Sequence, residues 1–493
     1  MPAKTIAQLV SGTDGSITGD DQTLVTGIAY HSARVVRGNL FVAIDGFRSS
    51  GQDFVADAIS RGAAVIAGQH AAAPARSGVA WVQTANARRF LALAANRFYD
   101  FPDRSVKLVG VTGTNGKTTT TFLIRSIIEA AGQRSGLVGT IRYFDGQEWL
   151  KAANTTPESL DIIALLARLR TMGIGYCVLE VSSHGIALER VHGLNFAVGV
   201  FTNLSQDHLD FHRTMDEYKQ VKLRLFQGLS PKAWAVYNAD DPTGNEVRAA
   251  TRAQPLSFHL GAGPVSGTND DETVRARIAG MTDRGLTLRL SVCGHEDTVA
   301  TSLIGEHNAY NIVAAAGVAY ALGFDLAVTK QGIQRLKSVP GRLERVENKA
   351  RLSVFVDYAH SPDALEKLIG TARRLTANKV LVVFGCGGNR DKAKRPLMGR
   401  IASELADRVV VTSDNPRDED PQQIIEDIKA GIQRANFEVE PNRYAAIKRT
   451  LTLASSHDIV LIAGKGHEDY QIVGQERRHF DDRETVLAVL GRP

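Results

Sequence analysis

Short apolar runs rich in β-branched residues alternate with segments of helical period along most of the chain. The clearest runs lie at 107–111, 176–181, 197–202, 233–237, 352–356, 380–384, 408–412 and 458–463. Continuous apolar strands separated by helices are typical of parallel sheets that are covered on both faces. The pattern therefore predicts an α/β fold.

These elements group into three predicted domains, 1–104, 105–338 and 339–493. The first boundary follows Pro102 and Asp103, and the second precedes Pro340-Gly341-Arg342. A length of 493 residues agrees with this division, because domains average roughly 150 residues. We therefore expect three α/β units joined by short linkers.

Two regions of the pattern are less regular. In the N-terminal unit, predicted strands at 39–44 and 63–67 flank an amphipathic helix at 54–61. In the central unit, residues 255–300 are rich in Gly, Thr and Asp with alternating Leu and Val. Alternation of this kind favours strands with one solvated face, so we predict a meander of antiparallel strands there.

The most informative stretch is a strand, a glycine loop and a helix between residues 106 and 132. The loop reads Gly113-Thr114-Asn115-Gly116-Lys117-Thr118. A loop at a helix N-terminus presents unpaired N–H groups and the positive end of the helix dipole, which together bind phosphate. Lys117 can reach the terminal phosphates and the Thr118 hydroxyl can ligate Mg²⁺. Val111 stands where the general P-loop pattern has glycine, yet the context still predicts nucleotide phosphate binding.

Polar residues follow two other strands of the central unit. Glu180 ends one predicted strand, and His208 lies in the segment after the next. Ligands of parallel sheets bind beyond the carboxyl ends of the strands, and an acid beside a phosphate loop suits Mg²⁺. Histidine is an uncommon Mg²⁺ ligand, so by spacing alone His208 is more often a surface or neighbouring residue.

Each predicted strand of the C-terminal unit also runs into a polar loop. The four loops are 357–360, 385–390, 413–417 and 464–468. Arginines, acids and a lysine at one sheet edge suit a zwitterionic ligand, and Arg390 and Arg417 suit bidentate carboxylate binding. The glycines at 385–388 do not complete a dinucleotide-binding pattern, because position 390 is arginine.

Composition excludes several classes of protein. The chain is 43% hydrophobic and 23% charged with a net charge of +5 and no basic block, which predicts no nucleic-acid partner. Cys177, Cys293 and Cys386 are too few and too scattered for a disulfide framework. The start of the chain lacks a signal-like apolar core, and no apolar run is long enough to span a membrane. We expect a soluble cytoplasmic protein with small-molecule partners.

Several motifs occur together in an order that resembles the Mur ligases, the ATP-dependent amide-forming enzymes of peptidoglycan synthesis. They are Thr112-Gly113-Thr114-Asn115-Gly116-Lys117-Thr118-Thr119, Glu180-Val181-Ser182-Ser183-His184, Thr202-Asn203-Leu204-Ser205-Gln206-Asp207-His208-Leu209-Asp210, Gly305-Glu306-His307-Asn308-Ala309-Tyr310-Asn311, Gly341-Arg342-Leu343-Glu344 and Asp357-Tyr358-Ala359-His360-Ser361-Pro362. On these motifs the chain is identified as a member of that family.

The resemblance implies a small UDP-binding N-terminal domain, a P-loop ATPase-like central domain and a Rossmann-like C-terminal domain. The member it is most similar to adds the third residue of the stem peptide to the D-Glu γ-carboxylate of UDP-MurNAc-L-Ala-D-Glu, through an acyl phosphate. The residues that match contacts to this dipeptide substrate are Ser32, Asn154, Thr155, Thr156, Ser182 and Arg190.

The choice of amino acid depends on the C-terminal loops. Asp414-Asn415-Pro416-Arg417 resembles the signature of relatives that use meso-diaminopimelate. A guanidinium pairs with the far carboxylate of diaminopimelate and repels the ammonium of lysine. The residues expected at this site are Arg390, Asp414, Asn415, Pro416, Arg417, Gly464 and Glu468.

The resemblance also assigns ATP and Mg²⁺ as cofactors. The implied catalytic residues are Lys117, Glu180, His208 and Lys222, and Lys222 matches a lysine that the family carbamylates. The implied ATP contacts are the residues from Gly113 to Thr119 with Asn308, Arg342 and Asp357. The implied Mg²⁺ ligands are Thr118, Glu180, His208 and carbamylated Lys222. Without the family match, Lys222 would be an ordinary lysine on a helix surface. We expect a monomer that closes around its substrates.

Two departures and three alternatives remain at this stage. The family's Asp-Ser-Arg uridine contact is His31-Ser32-Ala33 here, so only Ser32 matches, and Leu188 stands where a glutamine is common. The alternatives are a lysine-adding ligase of the same family, a more distant folylpolyglutamate synthase, and a nucleotide-dependent regulatory module that ligates nothing. A requirement of ATP turnover for both a UDP-MurNAc-dipeptide and an amino acid would separate ligase from regulator.

Overall fold

The computed structural model describes residues 3–46, 49–69, 78–261 and 273–493. The chain forms two compact units, and each unit contains three separate segments of the chain. The first unit contains Met1–Gly113, Ile128–Thr202 and Tyr218–Leu256, and the second contains Thr114–Ile127, Asn203–Glu217 and Ser257–Pro493. Helices and strands alternate in both units, so the predicted α/β class is confirmed.

A five-stranded sheet in the first unit is formed by the N-terminal residues. Its strand order is β2-β7-β6-β5-β4, in which β4 to β7 are parallel and β2 is antiparallel. The N-terminal elements are β1 (Lys4–Thr5), α1 (Ile6–Val10), β2 (Ser16–Thr18), β3 (Leu24–Val25), β4 (Gly27–Ala29), β5 (Asn39–Ala43), α2 (Val55–Ser60), β6 (Val65–Gly68), β7 (Ala80–Gln83) and α3 (Ala87–Phe98). Phe41, Ile66 and Trp81 pack with α2 in its core.

The larger sheet of the first unit has the strand order β11-β10-β9-β12-β8-β13-β14-β15. The five strands from β9 to β14 in that order are parallel, and β10 and β11 are antiparallel additions at the edge. Its strands are β8 (Lys107–Thr112), β9 (Ser135–Val138), β10 (Arg142–Phe144), β11 (Trp149–Lys151), β12 (Tyr176–Glu180), β13 (Phe196–Phe201), β14 (Trp234–Asn238) and β15 (Gln254–Leu260). The four predicted strands are confirmed to within one or two residues.

Six helices accompany these strands along the chain. They are α4 (Lys117–Ala130), α5 (Ser159–Thr171), α6 (Ser183–Ala187), α7 (Leu209–His212), α8 (Met215–Gln227) and α9 (Thr243–Ala250). Helix α4 begins at Lys117, within the last two residues of the predicted glycine loop, and the chain turns away at Gly132, whose φ of +73° suits glycine.

In the second unit, the end of β15 pairs with a three-stranded antiparallel meander. The meander consists of β16 (Thr273–Thr282), β17 (Gly285–Val292) and β18 (His295–Thr301), and α10 (Glu306–Ala321) and α11 (Leu326–Arg335) follow. The predicted antiparallel arrangement is correct for these three strands but wrong for β15, which pairs in parallel with β16. Residues 262–272 of the predicted segment lie outside the described residues.

The C-terminal residues form a six-stranded sheet in the second unit with the order β19-β20-β24-β21-β22-β23. All strands are parallel except β19 at the edge. The elements are β19 (Glu344–Arg345), β20 (Ser353–Asp357), α12 (Pro362–Leu375), β21 (Val380–Phe384), α13 (Lys394–Leu405), β22 (Arg408–Val411), α14 (Pro421–Lys429), β23 (Phe437–Val439), α15 (Arg443–Leu453), β24 (Ile459–Ala463), the hairpin β25 (Tyr470–Val473) and β26 (Glu476–His479), and α16 (Asp482–Leu490).

This strand order brings distant loops to one edge. The loops that follow β20, β24, β21 and β22 are neighbours, because parallel strands end on the same side of a sheet. Apolar clusters cover both faces of the sheet, which explains why each strand is a nearly continuous hydrophobic run. Within the described residues, no helix combines the length and the hydropathy that a membrane span requires.

Candidate functional site

The glycine loop is held by the segment that follows β13. Thr114 N–H donates to the Asn203 carbonyl at 2.8 Å, and Asn115 N–H donates to Asn203 Oδ1 at 2.9 Å. Lys117 Nζ donates to the Thr114 carbonyl at 2.8 Å, so its ammonium lies over the loop. Backbone N–H groups and a lysine at the start of an α-helix are the elements of a phosphate site.

A pair of asparagines on α10 packs against the same loop. A Cβ added to Gly116, which has φ +85°, would lie 2.3 Å from Asn311 Oδ1. Thr120 Oγ1 donates to that oxygen at 3.3 Å, and Asn311 Nδ2 donates to Asn308 Oδ1 at 3.0 Å. The predicted ATP contact Asn308 therefore reaches the loop through Asn311. Asn311 belongs to the 305–311 motif, but the motif alone assigns it no role.

The predicted ATP contacts after residue 340 also lie near the loop. Arg342 Nη2 donates to Thr118 Oγ1 at 3.3 Å, and its guanidinium lies 4.8 Å from the centre of the Tyr358 ring. Asp357 accepts from Leu343 N–H at 2.6 Å and from Ala359 N–H at 2.8 Å. Burial raises the pKa of Asp357, while the nearby Arg342 opposes that rise. The carboxylate thus fixes the turn that carries Arg342.

In the first unit, Glu180 lies at the end of β12 with only 1% of its surface exposed. Its Oε1 accepts from Thr140 N–H at 2.9 Å and its Oε2 from Thr140 Oγ1 at 3.0 Å. Thr155 Oγ1 lies 3.1 Å from Thr140 Oγ1. A buried, oriented carboxylate with hard oxygen donors around it fits Mg²⁺, which takes one or two carboxylates and keeps several waters.

The predicted dipeptide-binding residues cluster beside Glu180. Thr156 Oγ1 donates to the Glu180 carbonyl at 2.8 Å and lies 3.0 Å from Ser182 Oγ, which caps α6. Asn154 is held through Tyr143, whose hydroxyl donates to the Asn154 carbonyl at 2.5 Å. The Ser32 hydroxyl instead donates a hydrogen bond to the Asp57 carboxylate, which lowers the pKa of Asp57.

Arg190, also predicted to bind the dipeptide, has an acidic partner that the sequence did not indicate. Its Nε donates to Glu158 Oε1 at 2.9 Å and its Nη1 to the Thr156 carbonyl at 2.9 Å. Arg88 of α3 donates to the same Glu158 oxygen at 2.7 Å. Glu158 thus orients two guanidiniums, one from α3 and one from the segment that follows α6.

Lys222 and His208 differ in their surroundings. Lys222 on α8 is only 2% exposed, and its Nζ donates to the Gly113 carbonyl at 2.9 Å, so the reading of a surface lysine is wrong. Its Nζ also lies 4.3 Å from the centre of the Tyr218 ring. The His208 side chain is 42% exposed, and its Nε2 lies 3.4 Å from Asp207. Within the described residues, no three His, Cys, Asp or Glu side chains form a group that could hold a metal.

The 414–417 segment is held by side chains and backbone of the residues that follow β24. Asn415 Nδ2 donates to Glu468 Oε2 at 2.8 Å, and Gln471 Nε2 donates to the Asp414 carbonyl at 2.6 Å. Burial and the nearby Asp414 raise the pKa of Glu468. Gly464 has φ +114°, and a Cβ there would lie 2.8 Å from Asp414 Oδ2. The structure therefore brings together Asp414, Asn415, Gly464 and Glu468.

Lys465 completes this acidic cluster and was named only as a loop residue in the sequence. Its side chain is fully buried, and its Nζ lies 3.5 Å from Glu468 Oε2 and 3.4 Å from Asn415 Oδ1. Its position between two acidic strand-end loops gives it the role of a buried counter-ion. The Gly-Lys-Gly-His-Glu run indicates a polar loop that contains this lysine, but it does not indicate whether the lysine side chain is buried.

The two predicted carboxylate-binding arginines lie on adjacent loops. Arg417, with φ +54°, donates from Nη1 to the Gly388 carbonyl at 2.7 Å. Among the described residues, the exposed Arg390 forms one hydrogen bond, of 3.4 Å, to the Asn389 carbonyl. In the part of the chain that the structure describes, neither arginine forms an ion pair with a carboxylate. Both guanidiniums can therefore donate hydrogen bonds to a ligand carboxylate.

These features are typical of a class of protein: α/β enzymes with a P-loop-like loop at a helix N-terminus and a second cluster of charged loops at a sheet edge. The comparisons agree. Family models match in chain order: "Mur ligase family, catalytic domain" at residues 24–99, "Mur ligase middle domain" at 111–319 and "Mur ligase, glutamate ligase domain" at 341–466.

Known proteins match nearly the whole chain. The UDP-N-acetylmuramoyl-L-alanyl-D-glutamate–2,6-diaminopimelate ligase of Solibacter usitatus is 45% identical over 95% of this chain and 94% of its own length, and that of Geobacillus kaustophilus is 41% identical over 94% and 95%. A solved structure of a ligase of that name is 30% identical, covers 99% of both chains and has a TM-score of 0.69. The chain belongs to the Mur ligase family.

The family matches confirm the family resemblance and a three-domain α/β architecture. The domain boundaries at 104 and 338 stay predictions, as do the roles of the individual site residues.

Proposed function

We propose that this protein is the ATP-dependent ligase that joins meso-diaminopimelate to the D-Glu γ-carboxylate of UDP-MurNAc-L-Ala-D-Glu in cell-wall synthesis. The relatives at 45% and 41% identity are named for ligation of 2,6-diaminopimelate to this UDP-linked dipeptide. Its use of ATP and a UDP-linked precursor favours the cytoplasm, with small molecules as partners.

The observation that carries the choice of amino acid is the pair of arginines next to the buried Asp414 and the partly buried Glu468. Arg390 and Arg417 have no carboxylate partner among the described residues, while Asp414 and Glu468 lie within one cluster where the pKa of Glu468 is raised. A ligand end with one ammonium and one carboxylate satisfies both sets of charges. The far end of diaminopimelate, away from the amine that reacts, carries both groups, whereas the far end of lysine carries only the ammonium.

The chemistry requires an activated carboxyl group. The γ-phosphate of ATP is transferred to the D-Glu γ-carboxylate to give an acyl phosphate, and the amine of diaminopimelate then attacks the acyl carbon and expels phosphate. Charge develops on phosphoryl and acyl oxygens in both steps, so cations near them supply most of the stabilisation. Lys117 is the cation that lies over the phosphate loop. The Gly113-to-Thr119 loop, Asn308, Arg342 and Asp357 would orient the nucleotide.

Mg²⁺ would be held by oxygen donors of Thr118 and Glu180, with His208 and carbamylated Lys222 as further ligands. When bound, the ion neutralises charge on the phosphate oxygens. Thr140 keeps the Glu180 carboxylate oriented through two hydrogen bonds. In the same way, Ser182, Thr156 and Arg190 would position the dipeptide whose γ-carboxylate reacts.

Carbamylation of Lys222 would convert a buried ammonium into a carboxylate. The N–H that remains on a carbamate can still donate to the Gly113 carbonyl, which accepts from Nζ in the structure. The Tyr218 ring instead favours the cationic lysine. Intact mass after incubation with bicarbonate, compared with Lys222→Arg, decides between the two forms: we expect an added CO₂ in the wild type alone.

The decisive test is phosphate release from ATP with the UDP-linked dipeptide, comparing meso-diaminopimelate with L-lysine. We expect turnover that requires both substrates, prefers diaminopimelate, and collapses in Arg417→Ala. Arg478→Ala is the matched control, because Arg478 is an exposed arginine of the neighbouring hairpin that pairs with Glu476. Equal turnover with lysine would contradict the amino-acid assignment. ATP turnover without either co-substrate would favour a regulatory module.

A further inference from the structure

The two loops that carry Arg390 and Arg417 are joined by hydrogen bonds. We call residues 385–390 the first arginine loop and residues 414–419 the second arginine loop. Gly388 N–H donates to the Asn415 carbonyl at 2.9 Å, and Arg417 Nη1 donates to the Gly388 carbonyl at 2.7 Å. A Cβ at Gly388 would lie 1.9 Å from the Pro416 carbonyl oxygen, so the two backbones are in direct contact.

A third arginine, which is not among the predicted site residues, is hydrogen-bonded to residues of both loops. Arg395 on α13 is fully buried, and its Nη1 and Nη2 each donate to a different oxygen of Glu419 at 3.0 Å. Glu419 Oε1 also accepts from Asn389 N–H at 2.5 Å. One carboxylate at the end of the second loop therefore fixes the backbone next to Arg390 in the first.

The contacts around Glu419 are charged and geometrically demanding. Hydrogen bonding to Arg395 lowers the pKa of Glu419 to about 2, so the pair is fully ionised at neutral pH. Asn389 and Arg417 both have left-handed φ angles, +53° and +54°. Such angles cost free energy for residues other than glycine and persist only where neighbouring contacts hold them. The ion pair contacts the first of these positions directly, through the Asn389 N–H, whereas Arg417 is held by the Gly388 and Ile472 carbonyls.

Asp427 provides an internal comparison. Its Oδ2 accepts from Arg395 Nη1 at 2.8 Å, and its Oδ1 accepts from Gln423. Asp427 belongs to α14 and contacts neither arginine loop in the described residues. Two carboxylates thus neutralise the same guanidinium, but of the two only Glu419 connects it to the arginine loops. Arg395 Nη2 also donates directly to the Gly387 carbonyl at 3.4 Å.

We propose that the Arg395–Glu419 ion pair is a positioning device that sets the spacing of Arg390 and Arg417, and so determines the preference for an amino acid with a second carboxylate. The inference rests on the proposed function, because it assumes that these arginines bind the far carboxylate of diaminopimelate. Arg395 and Glu419 do not touch substrate in this account. They act through the geometry of the two loops.

The test measures KM and kcat for meso-diaminopimelate in the full-length enzyme, with ATP and UDP-MurNAc-L-Ala-D-Glu saturating. Glu419→Gln is expected to raise KM for diaminopimelate about 10- to 100-fold, because a misplacement of about 1 Å costs up to ~100-fold. The KM for ATP stays within about twofold. Asp427→Asn, which removes the other ion pair of the same arginine, is expected to change KM for diaminopimelate by no more than about twofold.

Arg395→Lys provides a second variant in case Glu419→Gln does not fold. Lysine keeps the charge but lacks the planar fork, so we expect an intermediate rise in KM for diaminopimelate. Equal KM values in Glu419→Gln and Asp427→Asn, an equal rise for all three substrates, or an unchanged KM in Arg395→Lys would each overturn the proposal. If the wild-type enzyme shows no diaminopimelate-dependent turnover, both the proposed function and this inference are overturned. If the wild type is active but the variants do not behave as expected, only the inference about the ion pair is overturned.

Discussion

The contact between Gly116 and Asn311 makes Gly116→Ala a sensitive test of the phosphate loop. The new Cβ would lie 2.3 Å from Asn311 Oδ1, whereas ordinary contacts begin near 3.4 Å. The asparagine must therefore move by about 1 Å, away from Thr120 and Asn308, with which it shares hydrogen bonds of 3.3 and 3.0 Å. The substitution acts on the loop and on its support at once.

The expected loss of stability combines two effects. A residue other than glycine at φ +85° costs about 1–2 kcal/mol. Loss of the two hydrogen bonds of Asn311 adds roughly 0.5–1.5 kcal/mol each. We therefore expect a decrease of about 2–5 kcal/mol in the free energy of unfolding, and a rise of at least about tenfold in KM for ATP, because the N–H groups of the loop are displaced.

Gly132→Ala is the matched control for this substitution. Gly132 has a similar left-handed φ of +73°, but a Cβ there meets no atom within 4 Å. It should show only the backbone cost of about 1–2 kcal/mol and a normal KM for ATP. Urea unfolding and phosphate-release kinetics measure both quantities. If the two variants lose equal stability and Gly116→Ala binds ATP normally, the reasoning from the Asn311 contact is refuted.

Three further predictions follow from contacts at other sites. Asp482→Asn should lower the free energy of unfolding in urea by about 3–5 kcal/mol, because it leaves the fully buried Arg443 without its carboxylate; a loss below 1 kcal/mol would contradict this. Thr140→Val should raise the Mg²⁺ concentration for half-maximal turnover roughly tenfold, since it removes one hydrogen bond that orients Glu180, and an unchanged Mg²⁺ titration would argue against Glu180 as a ligand. The pKa of Glu419 falls from its ordinary 4.5 to about 2 in the folded protein, so its contribution to stability is present above pH 4.5 and is lost as pH falls towards 2; acid unfolding curves should be shallower for Glu419→Gln over that interval, and parallel curves would count against the ion pair.

The sequence predicts most of the longer buried strands, because parallel strands covered on both faces are continuous apolar runs, but it misses the buried four-residue strands β7 and β9. Val380–Phe384 is recovered to the residue. The edge strands β10 and β11 are missed because they are three residues long and only partly buried, so no period is established. The parallel pairing of β15 with β16 is missed because alternation indicates a strand but not the direction of its neighbour.

The candidate site shows the same contrast between residues that a local pattern predicts and residues that only the fold reveals. Residues on short motifs, such as Lys117 and Glu180, lie where strand-end reasoning puts them. Partners that act through tertiary contact do not stand out: Glu158, Asn311 and Arg395 are remote in sequence from the residues they hold. Lys222 occupies a helix whose pattern alone does not distinguish a buried lysine from an exposed one. Motifs therefore identify reactive groups, and the fold identifies what orients them.

The support of the 414–417 segment has a consequence for redesign. Its backbone is held on one side by the first arginine loop and on the other by β25, where Arg417 N–H donates to the Ile472 carbonyl at 3.0 Å and Gly474 N–H donates to the Arg417 carbonyl at 2.7 Å. If these four residues were grafted into a relative with another amino-acid preference, the side chains would be transferred without the first arginine loop and the β25 segment that position them. If these loops bind the amino acid as proposed, the smallest transplantable unit comprises three segments, 385–395, 413–419 and 464–474.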